Sequence, residues 1–169
     1  MSSFISLFTS AIAFGTIIMF GALGEILTEK GGHLNLGVPG IMYIGAICGL
    51  ISSFFYERGG GTSPFVGMLL SLIACFVGSA IGGLIYAFLT ITLRANQNVT
   101  GLALSIFGTG VGQFIGEYMR VSENGYISVS NMLKGYFQNS PFPKGLQNIP
   151  DIGGVLFGNS FFFYLAVAC

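Results

Sequence analysis

Five long apolar runs alternate with short polar stretches along the chain. They extend from Phe4 to Gly24, Val38 to Tyr56, Pro64 to Leu93 and Val99 to Gly116, and the fifth starts near Val155. A helix needs roughly 20 apolar residues to cross a bilayer, which the first four runs supply. A helix also satisfies its own backbone groups in lipid, and the alternation typical of a barrel is absent. The pattern predicts an all-α, polytopic transmembrane helix bundle of about five spans.

The composition supports a membrane location. Of the 169 residues, 53% are hydrophobic and only 7% are charged, whereas a soluble domain carries about 25% charged residues. The formal net charge is zero, and the chain has no basic run. These values exclude an ordinary soluble domain, a disordered chain and a nucleic-acid-binding protein. The lipid bilayer is therefore the first partner that the sequence predicts.

The positions of the basic residues predict an orientation. No Lys or Arg precedes the first run, and Lys30 follows it. The positive-inside rule then places the N-terminus outside, the loop at Arg94 inside and the segment 120–154 outside. Three basic residues in that last segment depart from the rule, which constrains long segments less strictly. We treat residues 1–169 as a single transmembrane domain, with 120–154 as an extracytoplasmic connecting segment.

Small residues recur at four-residue spacing inside the apolar runs. Such faces let helix backbones approach closely in lipid, where no hydrophobic force drives helices together. We interpret them as packing seams within the bundle, and a subunit interface remains the alternative for one or two of them. The candidate packing residues are Gly45, Gly49, Gly78, Gly82, Gly108, Gly112 and Gly116.

A break separates the first two runs. Gly31 and Gly32 predict the end of the first helix, and Pro39 suits the first turn of the next helix. Asn35 lies between two leucines at the edge of the second run. A polar group at that depth costs energy unless it lines a cavity or pairs within the protein, and transporters build sites from broken helices. From the residues alone, a plain connecting loop and a pathway-lining break both remain open.

Two segments carry a family resemblance. Gly24–Ala46 reads GEILTEKGGHLNLGVPGIMYIGA, and Arg94–Leu104 reads RANQNVTGLAL. Both resemble motifs of ABC-importer permeases of the branched-chain amino acid and simple-sugar type, and are most similar to nucleoside and simple-sugar permeases. Those permeases usually have arginine where this chain has Lys30 and glutamate where it has Pro39. The two motifs occur in the expected order, separated by one long span.

The resemblance implies a permease subunit of an ATP-driven importer in the bacterial plasma membrane. Such a subunit moves nucleosides or simple sugars by alternating access. The implied partners are an ABC ATPase subunit, a second permease subunit in a heterodimer, and an extracytoplasmic substrate-binding protein docked near 120–154. The chain itself has no phosphate-binding loop, metal-ligand spacing or catalytic constellation, so we expect neither an enzyme nor a cofactor. Related permeases are longer, so we expect this chain to be the N-terminal part of one.

Residues at and near the break, together with those at the polar start of the fourth run, are the candidates for lining or gating the solute pathway. Their amides suit an uncharged polar solute. A stand-alone secondary transporter or channel is the alternative, but ion coupling needs ionisable residues within the spans, and the middle parts of the runs have none. The candidate pathway residues are Glu25, Asn35, Leu36, Gly37, Asn96, Gln97 and Asn98.

Overall fold

A computed structural model of the protein describes residues 2–123, 125, 127–143 and 157–169, with side chains from residue 6 onward. The secondary structure of these residues is helical, which confirms the all-α prediction. The helices are α1 (Ser2–Lys30), α2 (Val38–Arg58), α3 (Pro64–Ala87), α4 (Gln97–Ser122), α5 (Asn131–Gln138) and α6 (Phe161–Ala168), and a π-helical turn (Phe88–Thr92) continues α3.

Within the described part of the chain, four helices are long and apolar enough to cross a membrane: α1, α2, α3 with its π-helical turn, and α4. They confirm the first four predicted runs. The predicted start of the fifth run, near Val155, lies outside the described residues. The described part of that run contains α6, which has eight residues, fewer than the roughly 20 of a complete span.

Large apolar side chains cover the outer surfaces of the long helices. Phe76 and Ile106 are each 75% exposed, and Phe14 is 69% exposed. Soluble monomers rarely expose contiguous apolar surface of this kind, whereas lipid tails accept it because they are as apolar as the side chains. The exposed surface and the helix lengths together identify a multi-pass membrane protein.

The third run exceeds the thickness of the hydrocarbon core, as its length predicts. The 24 residues of α3 span about 36 Å at 1.5 Å per residue, against about 30 Å of hydrocarbon. The π-helical turn then ends in a bond from the Leu93 N–H to the Phe88 carbonyl (3.1 Å). Arg94 follows with a positive φ of 51°, so the chain turns sharply before α4.

The described residues fall into two compact units. One comprises residues 1–23 and 134–169, and the other comprises residues 24–133. In the first unit, the Phe142 ring makes edge contacts with the rings of Phe157 (centroids 5.3 Å apart) and Tyr164 (5.1 Å). Aromatic rings therefore hold together parts of this unit that are distant in sequence.

In the second unit, α2 packs against both α3 and α4. Small residues lie at the contact between α2 and α3. A Cβ added at Gly49 would come within 3.2 Å of the Ser71 carbonyl, and one added at Gly82 within 3.3 Å of the Ile41 side chain. A Cβ at Gly45 would meet Ser79, and one at Gly78 would meet Cys48. These four of the candidate packing residues therefore face a neighbouring helix of the same unit.

The predicted connecting segment 120–154 contains helix. α4 continues to Ser122, and α5 follows within the segment. At the start of α5, the Glu57 carboxylate accepts hydrogen bonds from the N–H (2.9 Å) and the hydroxyl (2.5 Å) of Ser130. Leu133 is only 3% exposed and lies close to Gly67. The first part of the segment is thus fixed to the bundle, while residues 144–154 lie outside the described part.

Candidate functional site

The break between α1 and α2 begins with a tight helix end. The N–H of His33 bonds to the Thr28 carbonyl (3.0 Å), and the N–H of Gly32 bonds to the Glu29 carbonyl (2.9 Å). This pair of bonds is the Schellman arrangement, which needs a left-handed residue. Gly32 supplies it with a φ of +81°. The two glycines therefore end α1 as predicted, and the chain enters the non-helical segment 33–37.

Side chains from two other helices, α3 and α4, support the backbone of that segment. The Leu34 N–H donates to Gln97 Oε1 (2.9 Å), and the Leu34 carbonyl accepts from the Tyr86 hydroxyl (2.7 Å). The Leu36 carbonyl accepts from Ser105 Oγ (2.6 Å). Non-helical backbone at membrane depth persists only where protein or water satisfies its polar groups. The bonds from α3 and α4 provide that satisfaction here.

Asn35 and Glu25 complete the support. Glu25 Oε1 accepts the Asn35 N–H (3.0 Å), and Asn35 Oδ1 accepts the Gly37 N–H (2.9 Å). Asn35 is only 5% exposed. The second carboxylate oxygen of Glu25, Oε2, is buried and has no hydrogen-bond partner among the described residues. The structure thus places these three predicted residues in one hydrogen-bonded cluster.

The other predicted residues lie at the start of α4. Asn96 is its N-cap, and Oδ1 of Asn96 accepts the N–H groups of Asn98 (3.0 Å) and Val99 (3.2 Å). This is the usual role of asparagine at a helix start. Gln97 has a different role, because its amide also lies 3.2 Å from His33 Nδ1. Gln97 therefore joins this helix start to the break, whereas Asn98 contributes a backbone N–H.

Glycines allow α4 to approach the break and the start of α2. A Cβ added at Gly101 would come within 2.8 Å of the Leu36 N atom. One added at Gly108 would overlap the backbone of Gly40, and one at Gly40 would come within 2.7 Å of the Ser105 Cα. The predicted packing residue Gly108 is thus at a backbone-to-backbone contact.

The last two predicted packing residues on α4 have looser surroundings. A Cβ at Gly112 would overlap the ring of Tyr43, which is a side chain and can move. At Gly116 the nearest atom is Ile47 Cδ1, 3.9 Å away, which is an ordinary contact. The α2–α4 seam is therefore tightest beside the break and opens along α4.

Three supporting side chains were not among the predicted pathway residues. Tyr86 and Ser105 donate to backbone carbonyls of the break, and His33 lies beside Gln97. The available signal was the presence of a hydroxyl within an otherwise apolar run, since a buried hydroxyl needs a partner.

All the bonds to segment 33–37 involve backbone groups and uncharged or carboxylate side chains. This network can hold a bend or accept a polar solute, but it contains no nucleophile–base pair.

Comparison with known proteins places this arrangement in a family. Residues 7–169 match the family model described as the permease component of the branched-chain amino acid transport system. The match covers almost the whole chain, including the break, both flanking helices and the start of α4. No solved structure matches the chain.

Curated relatives of the chain are named as transport proteins. A Haloferax volcanii protein named for glucose ABC transport is 29% identical over 171 aligned positions, and the match covers 99% of this chain and 46% of the relative. The guanosine ABC transporter permease of Bacillus subtilis is 28% identical, covering 90% of this chain and 45% of its own length. The nucleoside ABC transporter permease of Lactococcus lactis is 29% identical, covering 86% and 43%. The chain spans about half the length of these relatives.

Proposed function

Because the chain belongs to the family of branched-chain amino acid transport system permease components, we propose that it acts in the permease of an ATP-driven importer for nucleosides or simple sugars. The names of the relatives support this solute class, since they refer to glucose, guanosine and nucleoside transport. The chain corresponds to about half of each relative. The solute, the energy source and the partners are therefore parts of the proposal.

The observation that carries the proposal is the break at residues 33–37. Its backbone groups are held by side chains of α1, α3 and α4, so one non-helical segment joins four membrane-length helices. Transporters place solute sites and gates at such interruptions. We propose that Glu25, Asn35, Leu36, Gly37 and Gln97 gate the passage, with Asn96 and Asn98 fixing the start of α4.

The proposal includes partners and an orientation. A partner ATPase would supply the energy, a second permease subunit would complete the passage in a heterodimer, and an extracytoplasmic protein would deliver the solute. The N-terminus would lie outside, which places the break near the inner side and segment 120–154 outside. The bond between Glu57 and Ser130 supports an ordered surface at the α5 end, as docking requires.

Uptake by the strain that encodes this chain tests the proposal. Labelled guanosine, uridine and glucose are supplied to cells with the gene, without it, and with the gene restored on a plasmid. We expect deletion to lower uptake of at least one of these solutes about tenfold or more, and restoration to recover it. Unchanged uptake of all three solutes would contradict the proposed solute class.

A further inference from the structure

A polar face runs along α4 from the break toward the other end of the helix. Ser105, Thr109, Gln113 and Glu117 occupy every fourth position, so they follow one side of the helix. At 1.5 Å per residue they cover about 18 Å. The face begins at the break, because Ser105 Oγ donates to the Leu36 carbonyl at 2.6 Å.

The outer half of this face has polar groups that project from the helix. The hydroxyl of Thr109 donates to the Ser105 carbonyl, but Gln113 and Glu117 are exposed. The Glu117 carboxylate accepts a hydrogen bond from Arg120 Nε at 2.8 Å. Polar side chains of a membrane-spanning helix almost always face the protein interior or a water-filled cavity. Glu117 has Arg120 as its partner, but Gln113 lies within the apolar run and therefore needs water or a polar ligand beside it.

A cleft of about 540 Å³ lies where this face meets α2. Gln113 and Glu117 line it from α4, and Tyr43, Ile47 and Leu50 line it from α2. The volume is within the range of small-molecule sites, which combine apolar walls with a few polar groups. Tyr43 is 42% exposed. It lies against Gly112, where any added Cβ would overlap it.

We infer that this cleft binds a nucleoside on the solute passage, an inference that rests on the proposed function. The Tyr43 ring offers a stacking surface for a nucleobase, as aromatic side chains do in nucleic-acid-binding proteins. The Gln113 amide can donate and accept, and the Glu117 carboxylate accepts from ribose hydroxyls. A simple sugar has the hydroxyls but no aromatic base, so the exposed ring favours the nucleoside.

Cysteine labelling tests whether the cleft is wet and whether a nucleoside enters it. Cys48, Cys75 and Cys169 are replaced by alanine, and Gln113→Cys and Phe114→Cys are compared in membrane vesicles with a water-soluble methanethiosulfonate. Phe114 is the matched control, since it is 72% exposed but lies beside the polar face. We expect position 113 to react, about fivefold more slowly with saturating guanosine, and position 114 to remain unlabelled.

Each labelling outcome decides a different claim: that the cleft is wet, that a nucleoside binds in it, or that α4 lies in lipid. An unreactive position 113 would show a dry polar contact and overturn the inference alone. A reactive position that guanosine does not protect would overturn the nucleoside site. Equal labelling at positions 113 and 114 would mean that α4 is not embedded in lipid, and the proposed function would then fail as well.

Uptake kinetics test the role of the ring. We expect Tyr43→Leu to raise the KM for guanosine about tenfold and to change the KM for glucose less than twofold, while Tyr43→Phe stays near the parent value. Equal changes for both solutes would overturn the stacking role. If the parent protein transports none of guanosine, uridine and glucose, the proposed function fails, and the protection of position 113 by guanosine then decides whether the cleft binds a nucleoside.

Discussion

At the residue scale, Asn35 is the side chain on which the break most depends. Its Oδ1 accepts the Gly37 N–H at 2.9 Å, and the residue is 5% exposed. Asn35→Leu leaves that N–H unpaired, at a cost of about 1–3 kcal/mol. We predict loss of uptake together with a lower melting temperature in detergent, whereas Asn35→Ser keeps a short uncharged acceptor and loses less stability. Equal melting temperatures for the leucine and serine variants would contradict this role.

The Tyr86 hydroxyl gives a second prediction at this scale. It donates to the Leu34 carbonyl at 2.7 Å, and Tyr86 is 6% exposed. Tyr86→Phe removes one hydrogen bond, so we predict a loss of about 1 kcal/mol in unfolding free energy and slower uptake. Tyr118→Phe is the control, because Tyr118 is 67% exposed. If thermal unfolding in detergent gives the same midpoint for both variants, the bond to Leu34 contributes nothing measurable.

The sequence indicates which residues of the break are polar but not which atoms they bind. Asn35 and Glu25 stand out because they lie at the edges of apolar runs. The bonds from Tyr86 and Ser105 depend on how α3 and α4 are rotated against the break. That rotation is set by contacts more than 50 positions apart in the chain, which hydropathy does not encode.

At the scale of elements, the seam between α2 and α4 controls how closely α4 approaches the break. Gly108 faces the Gly40 backbone, while Gly110 has no atom within 4 Å of an added Cβ. Gly108→Ala must separate the helices, and overpacking of this kind costs about 1–3 kcal/mol. We predict lower thermal stability and lower uptake for Gly108→Ala, with Gly110→Ala close to the parent in both assays. Lower stability and uptake for Gly110→Ala than for Gly108→Ala would contradict the close contact at Gly108.

The helix ends show what local sequence predicts well. Gly31, Gly32 and Pro39 fix the boundaries of α1 and α2, because their backbone preferences do not depend on distant contacts. The far end of α4 was predicted less well: the apolar run ends at Gly116, but the helix continues to Ser122. Glu117 and Arg120 pair three positions apart on the same face, so the charged turn remains helical after the hydropathy signal has ended.

At the scale of the whole molecule, orientation in the membrane is the next prediction. With the N-terminus outside, the loop between α2 and α3 also lies outside. Thr62 is an exposed residue of that loop. In the cysteine-free chain, we expect Thr62→Cys to react with a membrane-impermeant maleimide on intact cells. Labelling only after the cells are permeabilised would reverse the orientation and place segment 120–154 inside.

An energy-coupling assay tests whether the chain serves an ATP-driven importer. Guanosine uptake is measured in cells depleted of ATP while an imposed ion gradient is held, and in cells with ATP present and the gradient collapsed. We predict that gene-dependent uptake stops in the first condition and continues in the second. Gene-dependent uptake that follows the ion gradient and ignores ATP would contradict this prediction and identify a secondary transporter.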